Sequence, residues 1–85
     1  MANYVQLSGS ITLSQAVPTG SNTVIGRCYT EDLPLVISYF SFLVPDGKNY
    51  LASIGTDGNV TIYNYTGVSI ASGLQLYAVG WTWIF

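Results

Sequence analysis

Hydrophobic and polar residues alternate along most of this chain with a period of two. Residues 4–13 show it most clearly, because Val5, Leu7, Ile11 and Leu13 are separated by polar residues. This period is typical of a β-strand that buries one face. Helix-favouring residues are scarce, whereas β-branched and aromatic residues dominate between turns rich in Gly, Pro, Asn and Asp. The pattern therefore predicts an all-β protein.

The same pattern divides the chain into short strands at regular spacing. The predicted strands are residues 4–13, 23–30, 35–44, 50–55, 60–65, 68–71 and 74–85, the sixth being a short edge strand. Gly26 is predicted to form a bulge. Asp57-Gly58 predicts a type I′ hairpin turn, which requires positive φ angles. The spacing favours a small antiparallel β-sandwich or barrel, jelly-roll-like, with residues 1–85 as a single domain.

Two predicted strands carry more apolar surface than one buried face needs. Residues 35–44 are apolar on both faces, so we expect a neighbouring subunit to cover the second face. In residues 74–85 the even positions are mainly aliphatic and the odd positions include Tyr77, Trp81 and Trp83. Residues 60–65 divide in the same way, into Val60, Ile62 and Asn64 on one face and Thr61, Tyr63 and Tyr65 on the other. We expect the aliphatic set to form the core and the aromatic set to face a partner chain or a ligand. The alternative is that the aromatic face is itself the core.

Charge and cysteine content also favour an oligomer. Charged residues make up 7% of the 85 residues, against about 25% in ordinary soluble domains. So small a domain is marginally stable unless something is added to its core. The single cysteine, Cys28, excludes an internal disulfide and is predicted to be a small buried apolar residue. Without histidine, the chain lacks the ligands for a structural zinc site. Association with other chains is the remaining way to add to the core.

Composition also excludes several classes of function. Two basic residues and a net charge of −2 argue against nucleic acid as a partner. No apolar run approaches the ~20 residues of a membrane helix, which argues against membrane insertion. Without histidine, neither a Ser-His-Asp nor a Cys-His arrangement can form. The carboxylates of Asp46 and Asp57 precede turn glycines, where they have local hydrogen-bonding roles. We therefore expect no enzyme, no metal and no cofactor.

The remaining signal is aromatic and polar, which suits the binding of a saccharide or a protein. Seven Tyr and two Trp occur among many Asn, Ser and Thr residues. We expect a ligand site that includes Asp46, Tyr50, Trp81 and Trp83, with tyrosine as a stacking platform and aspartate as an acceptor for hydroxyl groups. Asp46 and Tyr50 flank a turn, where binding residues concentrate. An equally supported alternative is that Trp81 and Trp83 anchor an interface between protein chains.

The stretch from residue 33 to 65 resembles the C-terminal modules of tail fibres and receptor-binding proteins of tailed bacteriophages. The carriers are Leu33-Pro34, the apolar strand that follows, and the hairpin sequence of residues 54–63, IGTDGNVTIY. The resemblance implies a small β-module that forms a homotrimer on the virion tail and binds a cell-surface saccharide without cleaving it. The resemblance identifies no ligand-binding residues in this chain. The alternatives are a purely structural virion or assembly protein and an unrelated small lectin.

Overall fold

The computed structural model describes residues 4–28 and 31–85 of the chain. Its strands are β1 (Tyr4–Thr12), β2 (Ser21–Arg27), β3 (Ser38–Leu43), β4 (Asn49–Ile54), β5 (Asn59–Asn64) and β6 (Gln75–Ile84). They form one six-stranded sheet in the order β1-β6-β3-β4-β5-β2, and every neighbouring pair is antiparallel. The sheet curls into a half-barrel with β1 and β2 as its edges. The all-β, antiparallel prediction is confirmed.

Three predicted elements differ from the observed ones. β3 begins at Ser38, and Leu35 and Val36 precede it as an exposed segment. Residues 68–71 form no strand and contribute only the isolated bridge between Ile70 and Val17. β2 ends at Arg27, and the predicted strand positions 29–30 lie outside the described residues.

The core fills the inner, concave face of the sheet. Strands β3 to β6 contribute buried side chains, and β1 and β2 add the half-buried Val5, Leu7, Ile11 and Ile25. The buried apolar residues are Leu13, Val17, Phe42, Val44, Ala52, Ile54, Val60, Ile62, Ile70, Leu76, Ala78, Trp81 and Trp83. The inward positions of β5 are the ones predicted from its alternation.

A β-bulge reverses the alternation in the middle of β6. Ala78 pairs with Gly9 and Trp81 pairs with Leu7, so that Val79 and Gly80 together oppose one residue of β1. Gly80 has a φ of +64°, which favours glycine because it has no Cβ. Its inserted position moves every later side chain of β6 to the opposite face.

Because of this reversal, both tryptophans point into the core beside the aliphatic residues of β6. Trp81 and Trp83 are each 3% exposed. The expectation that the aromatic set of this strand faces away from the aliphatic set is therefore wrong for these two residues. Alternation read with an unbroken period of two along residues 74–85 gives no indication of the inserted residue.

The two indole rings connect β6 to β3 and to the segment before it. Trp81 stacks on Phe40 with ring centroids 4.8 Å apart, and its Nε1–H donates to the carbonyl of Ser41. The Nε1–H of Trp83 donates to the carbonyl of Asp32 at 2.7 Å. Each buried indole thus has the hydrogen-bond partner that burial requires.

The turn between β4 and β5 differs in type from the expected one. Only Gly58 has a positive φ, +90°, and its N–H donates to the carbonyl of Gly55. This arrangement is a three-residue hairpin loop with glycine at the left-handed position, and not a type I′ turn. The carboxylate of Asp57 accepts the backbone N–H of Asn59 at 3.0 Å, which is the local role predicted for it.

The convex side of β3–β6, here called the outer face, is uncharged. Residues directly opposite each other on paired strands share a face, and Tyr39, Ser53 and Thr61 form one such row on this side. The outer face comprises Tyr39, Ser41, Leu43, Asn49, Leu51, Ser53, Thr61, Tyr63, Gln75, Tyr77, Val79, Thr82 and Ile84. Leu43, Leu51, Val79 and Ile84 are between 44% and 69% exposed, so it carries substantial apolar surface.

Candidate functional site

A concavity of about 450 Å³ opens at one end of the half-barrel, where β4 begins and β5 has ended. We call it the Tyr50 pocket, and its lining residues are Lys48, Asn49, Tyr50, Thr66, Val68 and Ser69. This volume lies within the range of about 300–1,000 Å³ found for small-molecule sites. The pocket combines an aromatic ring and an aliphatic side chain with hydroxyl, amide and ammonium groups.

The turn between β3 and β4 positions one wall of the pocket. Gly47 takes a φ of +89°, and its N–H donates to the carbonyl of Val44 at 2.9 Å. The carboxylate of Asp46 accepts the backbone N–H of Lys48 at 2.9 Å. These bonds fix the backbone from which the Lys48 side chain extends.

The buried amide of Asn64 positions the opposite wall, the loop after β5. Asn64 is 0% exposed, and its Nδ2 donates to the carbonyls of Val17 at 3.0 Å and Val68 at 2.9 Å. Its Oδ1 accepts the hydroxyl of Thr66 at 2.8 Å and the backbone N–H of Thr66 at 3.3 Å. A fully bonded amide of this kind holds the loop in one conformation. The wall of the pocket is thus fixed by hydrogen bonds to a buried side chain.

Tyr50 forms the aromatic wall. It lies on the inner face at the start of β4, opposite Phe42, and it is half-buried against the core. Packing against the core restrains the ring, whereas its remaining surface lines the pocket. A restrained tyrosine offers contact area at a small entropic cost.

The structure separates the four residues predicted for a ligand site. Tyr50 lines the pocket, and Asp46 lies in the adjoining turn with its carboxylate bonded to the backbone of Lys48. Trp81 and Trp83 lie in the core and do not line the Tyr50 pocket. Lys48, which is not among the predicted site residues, does line the pocket. The signal that could have identified Lys48 is its rarity, because the chain has two basic residues.

A second concavity, of about 330 Å³, lies between the two edge strands of the half-barrel. Its walls include Leu7 and Ile11 of β1 on one side and Arg27 and Cys28 on the other, and Trp81 contributes to its lining. The prediction that Cys28 is buried holds only in part, because Cys28 is half-buried and packs against the core. The two edges approach each other at Ile11, which lies close to the backbone of Gly26.

Two further searches of the structure concern metals and membranes. Within residues 4–28 and 31–85, no three His, Cys, Asp or Glu side chains come together as a metal-ion site. The described part of the chain also has no helix of the length and apolarity that crossing a membrane takes.

Comparison of the chain with protein-family models, with curated proteins and with solved structures finds no match in any of the three.

Proposed function

We propose that this chain is a non-catalytic, saccharide-binding module that forms a homotrimer, of the kind found in bacteriophage tail fibres. In this proposal the Tyr50 pocket binds a saccharide of the host cell surface, and the outer face contributes to contacts between subunits. The resemblance of residues 33–65 to such modules supports the proposal and suggests a place on the virion tail.

The observation that carries the saccharide part is the composition of the Tyr50 pocket. Sugar rings have apolar faces that stack on an aromatic ring, and their hydroxyl groups pair with amide and hydroxyl side chains. Tyr50 and Val68 supply the apolar surface, and Lys48 and Ser69 supply polar groups. The buried anchor Asn64 keeps these groups in place without a ligand, which lowers the entropic cost of binding.

The outer face supports the oligomeric part of the proposal. Its exposed apolar side chains are spread over the three adjacent strands β6, β3 and β4, and it contains no charged residue. A soluble monomer rarely exposes a large contiguous apolar surface, and such surfaces mark interaction sites. Light scattering coupled to size exclusion tests this part directly. A mass of one chain at high concentration would refute the trimer.

Replacement of the aromatic wall tests the saccharide part. We expect Tyr50→Ala to weaken binding to an envelope polysaccharide at least about tenfold, since losing a half-buried aromatic contact costs about 1.4 kcal/mol or more. Tyr50→Phe should retain most of the affinity, because the ring remains. Tyr4→Ala is the matched control, since Tyr4 is 69% exposed at the other end of the sheet. Equal losses in Tyr50→Ala and Tyr4→Ala would contradict the assignment of the pocket.

The uncharged outer face also favours a second candidate function, that of a purely structural virion or assembly protein. This candidate requires the trimer but no saccharide. A trimer that binds none of the polysaccharides of its host's envelope would support the structural role and refute the first proposal.

A further inference from the structure

We propose that the saccharide bound in the Tyr50 pocket is anionic, and that Lys48 binds its carboxylate or phosphate group. This inference depends on the proposed saccharide binding and specifies its ligand class. The chain has only two basic residues, and one of them lines this pocket. The position of Lys48 therefore sets the charge preference of the site.

The local charge of the pocket is positive. Lys48 is the one ionic residue among the six that line it, and none of the six is an acid. The nearest acid along the chain, Asp46, accepts the backbone N–H of Lys48. Within residues 4–28 and 31–85, the Lys48 ammonium forms no ion pair. An anionic group in the pocket would thus meet an ammonium group that is not already paired with a carboxylate.

The other acids lie at the opposite end of the sheet. Asp57 is in the turn after β4, and the carbonyl of Asp32 bonds to Trp83 near the end of β6. The length of β4 alone separates Asp57 from the pocket by about 17 Å, at about 3.3 Å per residue. Exposed charges are largely screened beyond about 8–10 Å at physiological salt. Lys48 and Asp46 are therefore the charges that act at the pocket, and Lys48 is the one that lines it.

The groups around Lys48 suit the rest of a sugar ring. The side chain of Val68 is 69% exposed and lines the pocket with Tyr50, so an apolar sugar face has contacts on this side. The exposed hydroxyl of Ser69 can pair with a ring hydroxyl. A single ammonium group placed beside a stacking ring distinguishes an acidic sugar from its neutral counterpart.

A polysaccharide array of matched pairs tests the inference. Each envelope polysaccharide is printed beside a derivative in which carboxyl groups have been reduced to alcohols, and beside one from which phosphate has been removed. We expect the full chain to bind an unmodified acidic polymer about five- to tenfold more tightly than its neutral derivative. The derivative that loses binding identifies which anionic group Lys48 recognises. The preference should decrease as salt concentration rises.

Lys48→Gln removes the ammonium and keeps the backbone N–H that bonds to Asp46, so its fold should be intact. We expect this variant to lose the preference for the acidic polymer, and Lys48→Arg to retain it. Arg27→Gln is the matched control, since Arg27 is the other basic residue and lines the second concavity.

Three outcomes would overturn the inference. Equal binding of acidic and neutral polymers, or an unchanged preference in Lys48→Gln, would refute it while leaving the saccharide function in place. Binding of no polymer at all would refute both.

Discussion

Replacing Asn64 by aspartate tests whether its buried amide holds the pocket wall. Asparagine and aspartate have nearly the same shape, but the carboxylate lacks the two N–H groups that bond to the carbonyls of Val17 and Val68. Asn64→Asp thus removes two hydrogen bonds and places a carboxylate oxygen opposite two carbonyl oxygens. Because the side chain is 0% exposed, water cannot replace the lost donors.

The magnitude follows from these two bonds. Each lost hydrogen bond costs about 0.5–1.5 kcal/mol, so the two together cost about 1–3 kcal/mol. The carbonyls of Val17 and Val68 keep the backbone N–H of Ile70 and the hydroxyl of Thr66 as donors. Burial of a negative charge adds to this cost. Domains of this size unfold with a free energy of about 4–13 kcal/mol, at about 0.05–0.15 kcal/mol per residue. We therefore expect Asn64→Asp to lose at least about 2 kcal/mol at pH 7, a substantial part of the total stability.

Stability of the variant should also depend on pH. Burial raises the pKa of the introduced carboxyl above its unfolded value of about 3.9. Since the folded state then binds the proton more tightly, the variant is most stable at low pH. It loses stability as pH rises from about 4 through the raised folded-state pKa. The difference from the wild-type protein should accordingly be smaller at pH 4 than at pH 7.

Urea unfolding followed by tryptophan fluorescence measures both effects, since Trp81 and Trp83 lie in the core. Asn22→Asp is the matched control. Asn22 is exposed and uses its Oδ1 to accept the hydroxyl of Tyr65, a role that a carboxylate also fulfils, so we expect a change within about 0.5 kcal/mol. If the two variants unfold at the same urea concentration at pH 7, the argument for Asn64 as the anchor is refuted.

Two further predictions concern two turns and the core. Gly47→Ala and Gly58→Ala both place a Cβ at a φ near +90°, which costs about 1–2 kcal/mol of stability. Gly58→Ala should cost clearly more, because its Cβ would lie 2.5 Å from the carbonyl oxygen of Cys28. A Cβ at Gly47 meets nothing within 4 Å. Equal unfolding free energies for these two variants would contradict this reading. Trp83→Phe removes the donor to the carbonyl of Asp32 and leaves a small cavity, so calorimetry should show a loss of about 2 kcal/mol. A melting temperature identical to that of the wild-type protein would show that this bond contributes nothing.

The sequence predicted the fold well where local signals are strong. The hairpin of β4 and β5 and the inward positions of Val60 and Ile62 follow from alternation around Asp57-Gly58. The bulge at Gly80 was not predictable in the same way, because it depends on which residue of β1 lies opposite, and the chain must fold before that pairing exists. One inserted residue was enough to place two tryptophans on the face opposite to the expected one.

The candidate site was predicted only in part. The position of Tyr50 beside a turn predicts a binding residue, and in the structure Tyr50 lines a concavity. Thr66 and Ser69 join it from the loop after β5, and no pattern in the sequence indicates that this loop meets the start of β4. Asn64 was placed on the inner side of its strand together with apolar residues. Its role as an anchor depends on carbonyls from distant parts of the chain, which only the tertiary structure reveals.

The pairing of β1 with β6 has a consequence for how the chain folds. Tyr4 pairs with Ile84, so β1 cannot pair with its neighbour in the sheet until residues 75–84 have been synthesised. The hairpin of β4 and β5, by contrast, can form early from adjacent residues. Contacts between distant residues slow folding, since a long loop must close before they yield any stabilisation. We therefore expect docking of β1 onto β6 to follow formation of the β4–β5 hairpin, and β1 to remain unpaired on the ribosome until β6 has been synthesised.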